Sequence, residues 1–321
     1  MELNESQSDR AVGAIVGTAV ADALGAHYEF DRPRLGADEK AQMLGGGLGP
    51  FAPGEWTDDT TMAWCILEVA AGGLDLRSEE GLTAVARNFR TWAESDPKDI
   101  GNQTARVLNT AGPDPTAQDL FYASSELDKV TRHTGGNGSL MRTSPVALRY
   151  LGDREAVADA ALRVSRLTHW DEHAQSGCAL WSLAIEHAVM HGELDIRSGL
   201  AHLSHAEAGF WTEKLDEAEA ALPATFNPNG WVVTALQAAW SSIAQTPVTG
   251  PEHYVEALNT AIRIGNDTDT VAAIAGGLLG ARWGASAIPA EWRKLSHGYP
   301  GIPGDVLATL ALDTVAAGRP H

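Results

Sequence analysis

Two short segments of the chain place acidic and hydroxyl side chains together where a helix is expected to begin. They are WTDDT at residues 56–60 and GNDTDT at residues 265–270. Asp and Thr at a helix start commonly cap the free backbone N–H groups, and capping explains most isolated examples. Only about four N–H groups are free in a first turn. The surplus of oxygen ligands in both segments therefore points to a bound cation.

The chemistry of these side chains favours hard divalent ions. Carboxylates of the two segments would repel each other if the helix starts met without a counter-ion. Oxygen donors without His or Cys select Mg2+ or Mn2+ over Zn2+, and four carboxylates exceed what one Mg2+ usually takes. We therefore predict two ions about 3.5–4 Å apart, with Asp269 as the bridge. The predicted ligands are Thr57, Asp58, Asp59, Asp267, Asp269 and Thr270.

The elements that must hold these ligands are predicted to be helices. Apolar residues recur at helical spacing in segment after segment, and sustained strand-like alternation is missing. Glycine and proline clusters separate the segments, and they show no fixed-period repeat. We predict an all-α fold, a compact helical bundle forming a single domain over residues 1–321. Small residues follow the second acidic segment and are expected to let its helix pack closely: Ala272, Ala273, Ala275, Gly276, Gly277, Gly280 and Ala281.

Composition excludes several classes of function. Hydrophobic residues make up 44% of the 321 residues, and 23 basic against 42 acidic residues give a net charge of -19. Such a charge repels nucleic-acid phosphates and disfavours nucleic-acid binding. The two cysteines, Cys65 and Cys178, support neither a disulfide framework nor a thiolate zinc site, and the polar, acidic start lacks signal-peptide features. We expect a cytoplasmic protein without membrane association, in which the apolar run at residues 11–26, interrupted by Asp22, is a buried helix.

Five motifs occur in an order that resembles the ADP-ribosylglycohydrolase family. They are GTAVADALGAHYEF at 17–30, WTDDT at 56–60, GGNGSLMRTSPVAL at 135–148, LTH at 167–169 and GNDTDT at 265–270. The resemblance covers nearly the whole chain. It implies an orthogonal helical bundle of the family's type and an enzyme that hydrolyses ADP-ribose from an acceptor. It also implies the same six ligands of a binuclear centre that charge and ligand hardness suggest.

The resemblance extends to residues around the substrate. The glycine-rich loop, whose bare backbone suits a pyrophosphate, resembles the family loop that lines the ADP-ribose pocket. Met141 and Arg142 are expected to open the following helix. His169 resembles a family histidine near the ligand, and Glu29 falls where some members carry a mobile glutamate beside the metals. The loop residues are Gly135, Gly136, Asn137, Gly138 and Ser139.

The acceptor is less well defined by the sequence. Asp99, in DIGNQT at 99–104, resembles a segment of the nitrogenase-regulating branch whose aspartate lies close to the acceptor side. A carboxylate there suits a guanidinium better than a serine hydroxyl, so an arginine linkage is favoured. Serine-linked ADP-ribose and O-acetyl-ADP-ribose remain alternatives. The expected partner is an ADP-ribosylated protein or a small ADP-ribose conjugate.

The catalytic roles are hypotheses. Asp58 or Asp59 is expected to accept a proton from the attacking water, and Glu29 to orient the leaving group. A rival pattern is H-x-x-E-H at His169, Glu172 and His173, which matches inverted zinc peptidases but overlaps the LTH motif beside a helix start. A second rival is a non-catalytic ADP-ribose-binding or structural protein. The intact set of acidic ligands favours catalysis.

Overall fold

The computed structural model describes residues 2–30, 34–131 and 133–318. The protein is 66% helical, which confirms the all-α class. Within the described residues the α-helices are α1 Glu5–Gly25, α2 Asp58–Ala71, α3 Glu79–Ala93, α4 Asn102–Ala111, α5 Ala117–Thr131, α6 Ser144–Arg149, α7 Arg154–Arg166, α8 Glu172–His191, α9 His205–Ala220, α10 Val232–Ala244, α11 His253–Arg263, α12 Thr268–Trp283, α13 Ala290–Leu295 and α14 Gly304–Ala317.

Short elements complete the described chain. Two strands of two residues each, His297–Gly298 and Ile302–Pro303, pair antiparallel, with His297 opposite Pro303. Short 3-10 helices lie at Ala26–Tyr28, Asn137–Ser139, Arg197–His202, Pro223–Thr225 and Ala285–Ala287.

Helix α1 runs through the interior. Its start is fixed by a capping box, in which Oδ1 of Asn4 accepts from N of Gln7 at 2.9 Å and Oε1 of Gln7 accepts from N of Asn4 at 3.0 Å. Among the described residues it is the one helix long and apolar enough to cross a membrane, but 89% of that apolar stretch is buried inside the protein. The buried helix expected for residues 11–26 is therefore present.

Helices α1 and α12 touch backbone to backbone. A Cβ atom at Gly17 would lie 2.5 Å from O of Gly276, and one at Gly25 would lie 2.6 Å from Cα of Asp269. Real side chains do not fit such gaps, because interiors are close-packed. Small residues therefore serve the packing role predicted for them, and they bring the C-terminal end of α1 against the first turn of α12.

Other core contacts hold the remaining helices around this pair. One cluster of buried apolar side chains extends from Ala11 to Val315 among the described residues. Nε1 of Trp181 on α8 donates to O of Ile274 on α12 at 3.1 Å, and the hydroxyl of Tyr254 on α11 donates to O of Gly17 at 2.9 Å. Each buried aromatic side chain contributes about 1.5–3 kcal/mol through burial. These contacts hold α12 against α8 and α1 against α11.

The predicted helix start at Met141 and Arg142 is wrong. Both residues lie in turns between the 3-10 helix and α6, which begins at Ser144. Pro145 occupies the first turn of α6. Proline has no backbone N–H and is favoured at the first helical positions, where that N–H would be unpaired, so it sets the start of the helix.

Candidate metal centre and substrate cavity

Carboxylates from three helix ends converge in the interior. Asp22 on α1, Asp59 on α2 and Asp269 on α12 place their oxygens within 4.8 Å of one another. Glu29, Asp267 and Asp269 form a second such group, so Asp269 belongs to both. These side chains are at most 9% exposed. No Lys or Arg lies among the described residues that line the adjoining cavity.

Helix capping does not account for these side chains. Thr57 and Asp267 are the N-cap residues of α2 and α12, and neither makes a side-chain capping bond. Asp22 caps α2 instead, because its carboxylate accepts from N of Thr60 at 3.0 Å. Oδ1 of Asp59 is buried without a hydrogen-bond partner. A buried acceptor without a donor is rare in folded proteins, and a bound cation would satisfy it.

Burial and mutual repulsion disfavour charge on the cluster. The pKa of Asp58 is raised to about 8, mainly by burial and next by repulsion from Asp99. The pKa of Glu29 is likewise raised to about 8, mainly by burial and next by repulsion from Asp267. The pKa values of Asp59 and Asp269 lie well above the usual range, mainly because of burial. Divalent cations would relieve this repulsion, and an all-oxygen donor set fits hard ions. The described residues therefore contain buried acidic clusters suited to a metal.

A cavity of about 360 Å³ opens beside the carboxylates. Most of the residues predicted for the site line it: Glu29, Asp58, Asp59, Asp99, Gly136, Asn137, Gly138, Met141, His169, Asp267, Asp269 and Thr270.

Three predicted residues do not line this cavity. The hydroxyl of Thr57 donates to Oδ1 of Asp22 at 2.9 Å, and its oxygen lies 3.2 Å from Oδ2 of Asp59. Gly135 borders a neighbouring cavity. The hydroxyl of Ser139 accepts from that of Ser165 at 2.9 Å behind the loop, so its side chain is directed into the core.

The glycine-rich loop is tied directly to the acidic cluster. Nδ2 of Asn137 donates to Oδ2 of Asp267 at 2.7 Å and to O of Asn229 at 3.1 Å. Oδ1 of Asn229 in turn accepts from N of Asp267 at 3.0 Å. Asn229 is fully buried and lies outside the motifs that predicted the site. These bonds fix the loop, on which an anion would rest, relative to the carboxylates.

His169 presents a defined ring nitrogen to the loop. Nη2 of Arg142 donates to Oγ1 of Thr168 at 2.7 Å, and that hydroxyl lies 2.7 Å from Nδ1 of His169. A guanidinium only donates, so the Thr168 hydroxyl accepts from Arg142 and keeps its own proton for another acceptor, for which Nδ1 is within reach. Burial and the charge of Arg142 hold the pKa of His169 well below its usual range. When that hydroxyl donates to Nδ1, the neutral ring carries its proton on Nε2, which faces Gly136 and Gly138.

The H-x-x-E-H pattern does not form a metal site. His169 precedes α8 and contacts Thr168, whereas His173 lies inside α8. Nδ1 of His173 is 3.1 Å from Oε2 of Glu207, and its ring stacks on Phe210 with centroids 3.9 Å apart. In the described part of the chain neither histidine belongs to a group of ligands suited to a metal.

A further aromatic residue stands beside the glycine-rich loop and was not anticipated. Trp231 is 45% exposed and forms an antiparallel bridge with Gly136. Together with Gly135 and Asp171 it borders a cavity of about 440 Å³. The sequence signal for Trp231 was its position directly after the NPNG turn. A turn does not indicate which distant loop its neighbouring residue will contact, so the pairing with Gly136 could not be predicted.

Comparison with known proteins identifies the family. Residues 3–320 match the model of a family described as ADP-ribosylglycohydrolase. The chain belongs to the ADP-ribosylglycohydrolase family. This ADP-ribosylglycohydrolase is 30% identical over 301 residues to the ADP-ribosylarginine hydrolase Tri1 of Serratia proteamaculans, covering 90% of this chain and 75% of the relative.

Two more comparisons extend over almost all of the enzyme. It is 29% identical to the ADP-ribosyl-[dinitrogen reductase] glycohydrolase of Rhodospirillum rubrum, covering 89% of this chain and 90% of the relative. A solved structure titled ADP-ribosylglycohydrolase-related protein complex matches with a TM-score of 0.74 at 26% identity, covering 98% of this ADP-ribosylglycohydrolase and 100% of that chain.

Proposed function

We propose that this ADP-ribosylglycohydrolase removes ADP-ribose from arginine side chains and depends on two Mg2+ or Mn2+ ions. The observation that carries the arginine assignment is Asp99, a half-buried carboxylate at the edge of the substrate cavity. A guanidinium could pair with it directly, whereas a serine hydroxyl leaves its charge unpaired. The name of the Serratia proteamaculans relative, an ADP-ribosylarginine hydrolase, supports the same choice.

The ligands proposed for the two ions come from the first turns of α2 and α12. They are Thr57, Asp58, Asp59, Asp267, Asp269 and Thr270, and Asp269 is shared by both groups of converging oxygens. Bound ions of this kind supply Lewis-acid stabilisation of developing negative charge and lower the pKa of coordinated water. Two observations on the described residues support bound cations. Oδ1 of Asp59 has no hydrogen-bond partner, and no Lys or Arg side chain lines the cavity.

Side chains around the cavity accept the proton of the attacking water, orient the leaving group and bind the pyrophosphate. Water attacks the anomeric carbon, and Asp58 or Asp59 accepts its proton as the new C–O bond forms. The C–N bond to the guanidine breaks, its electron pair stays on nitrogen, and the proton that the aspartate took from water is returned to that nitrogen. Glu29, held by a hydrogen bond of 3.2 Å from N of Leu48, orients this group. Backbone N–H groups of the glycine-rich loop and Nε2–H of His169 hold the pyrophosphate.

The proposal is tested by offering the enzyme three linkages. Peptides ADP-ribosylated on arginine, peptides ADP-ribosylated on serine and O-acetyl-ADP-ribose are incubated with it, and release of ADP-ribose is followed by chromatography. We expect release from the arginine peptide. Chelator should abolish it, and Mg2+ or Mn2+, but not Zn2+, should restore it, because the ligands are hard oxygens.

Each alternative gives a different result. Release from the serine peptide or O-acetyl-ADP-ribose alone would replace the arginine assignment. Full turnover in excess chelator would refute the metal centre, and release from none of the three would contradict the hydrolase function itself.

A further inference from the structure

A second cavity adjoins the substrate cavity. It has a volume of about 280 Å³, and two carboxylates, Asp58 and Asp99, line both spaces. Thr57, the N-cap of α2, and Thr61 line the second cavity but not the substrate cavity. Anything that enters it therefore approaches the acidic cluster from the side of Asp99, away from the glycine-rich loop.

The walls of this second cavity are mainly aromatic. Phe51, Trp56, Trp92 and Tyr299 surround it, and Trp56 and Trp92 are almost completely buried. Gly298 leaves room for the indole of Trp56, because a Cβ atom there would lie 2.3 Å from its Nε1. Tyr299 is braced by an edge-to-face contact with Trp64, with centroids 5.6 Å apart. The aromatic walls are thus held by the protein's own packing.

The charged side chains that line the second cavity are predominantly acidic. Glu55, Asp58, Asp96 and Asp99 line it against a single lysine, Lys98. Nζ of Lys98 is bound to Glu55 at 2.6 Å, which neutralises that pair. The same ammonium lies 5.5 Å from the ring centre of Phe51, so the face of this ring already meets a cation. Among the described residues Asp96 and Asp99 have no paired cation, and they favour a positively charged occupant.

The size of the cavity restricts its occupant. Ligand pockets usually have volumes of about 300–1,000 Å³, so 280 Å³ lies just below this range and suits a single side chain. A guanidinium is planar, stacks on aromatic faces and pairs with carboxylates in a bidentate manner. An arginine side chain therefore matches the aromatic walls, the acidic lining and the volume.

We propose that the second cavity is the acceptor subsite, in which the arginine side chain of the ADP-ribosylated substrate lies against Phe51 and Tyr299. This inference rests on the proposed function and extends it. Asp99 pairs with the guanidinium at the junction of the two cavities, and Asp96 attracts the cation at the exposed end. Specificity for arginine then depends on residues 51 and 96 as well as on Asp99.

The test uses two variants that leave the acidic cluster intact. Phe51→Leu keeps an apolar side chain but removes the aromatic face, and Asp96→Asn removes one charge. KM and kcat are measured with ADP-ribosylarginine, inhibition with agmatine, which carries the guanidinium without ADP-ribose, and binding of ADP-ribose by calorimetry. Asp313→Asn, on the exposed face of α14, removes the same charge elsewhere.

We expect each variant to raise KM and the inhibition constant of agmatine about threefold, the size typical of one exposed cation–π or charge contact. The double variant should show about tenfold, because separate contacts add. The Kd of ADP-ribose and kcat should stay unchanged, and Asp313→Asn should match the wild type.

The two possible failures look different. A wild-type enzyme that leaves ADP-ribosylarginine intact would overturn the proposed function. A wild-type enzyme that cleaves it, but whose KM and agmatine inhibition equal those of the double variant, would overturn the acceptor subsite alone. Weaker binding of ADP-ribose in the double variant would assign these residues to the nucleotide half and likewise contradict the subsite.

Discussion

The carboxylate of Asp22 accepts hydrogen bonds from both the backbone N and the hydroxyl of Thr60, at 3.0 and 2.6 Å. Thr57 adds a second pair, from its backbone N at 3.1 Å and its hydroxyl at 2.9 Å. One side chain of α1 therefore fixes the start of α2, where Asp58 and Asp59 lie. Asp22 thus positions the acidic cluster, while its own carboxylate oxygens already accept the hydrogen bonds of Thr57 and Thr60.

Asp22→Asn should therefore lower stability even without metal. The amide can accept on one oxygen only, and its NH2 group would face donors, so buried hydrogen bonds are lost. We expect a loss of about 2–3 kcal/mol in the free energy of unfolding. Urea denaturation in chelator measures it. Wild-type stability in the variant would contradict the capping role of Asp22.

Asp269→Asn should separate catalysis from folding. It removes the charge of the residue shared by both groups of oxygens, and a misplacement of about 1 Å in such a site costs about a hundredfold in rate. Turnover should collapse, while the melting temperature in chelator should hold or rise because repulsion is relieved. The matched control is Asp305→Asn, an exposed aspartate in the first turn of α14.

The two measurements for Asp269→Asn have separate meanings. Normal turnover in the variant would exclude the bridging role of Asp269. A large drop in stability in chelator, comparable with that expected for Asp22→Asn, would make the residue structural instead.

Stability in chelator should fall as pH rises from about 4 to about 8. The pKa values of Asp58 and Glu29 are raised to about 8, whereas carboxyls of an unfolded chain titrate near 4. The folded state binds more protons than the unfolded state in this window. The stability that these raised pKa values contribute is therefore complete below about pH 4 and is lost as pH approaches 8. Thermal melting at pH 5 and pH 8 measures the difference.

The control for this pH dependence is the double variant Asp58→Asn/Glu29→Gln, which lacks both groups. Its melting temperature in chelator should vary less between pH 5 and pH 8 than that of the wild type. Equal pH dependence in the two proteins would show that other groups are responsible.

Thr168→Val should weaken ADP-ribose binding through His169. Valine has nearly the same shape but removes the hydroxyl between Arg142 and Nδ1 of His169. Loss of the tautomer that donates from Nε2 should raise the Kd of ADP-ribose about tenfold, which corresponds to about 1.4 kcal/mol. Calorimetry measures the Kd, and 15N NMR of the imidazole reports the tautomer.

Thr168→Ser retains the hydroxyl and is the matched control, with an expected Kd near that of the wild type. An unchanged Kd in Thr168→Val, or an Nε2–H tautomer that persists in it, would show that the hydroxyl does not set the ring.

The sequence predicted the parts of the site that are encoded locally. Helices α2 and α12 follow from their apolar spacing, and their acidic first turns exceed the needs of capping. The role of Asp22 could not be predicted in this way, because its donors on α2 lie 35 and 38 residues away. Asn229 is likewise defined by contacts with distant loops. The start of α6 was predicted too early, because Pro145, which favours a helix start at Ser144, was not used as a signal.

The close contact of α1 with α12 also bears on how the enzyme is made. The acidic cluster joins residues 22–29 and 58–59 to residues 267–269, so its contacts have very long sequence separation and the loop entropy must be overcome before they form. During synthesis on the ribosome, Asp22 and Asp59 emerge long before Asp269. The nascent chain therefore carries only part of its acidic cluster until translation has passed α12, and catalytic competence is acquired late in synthesis.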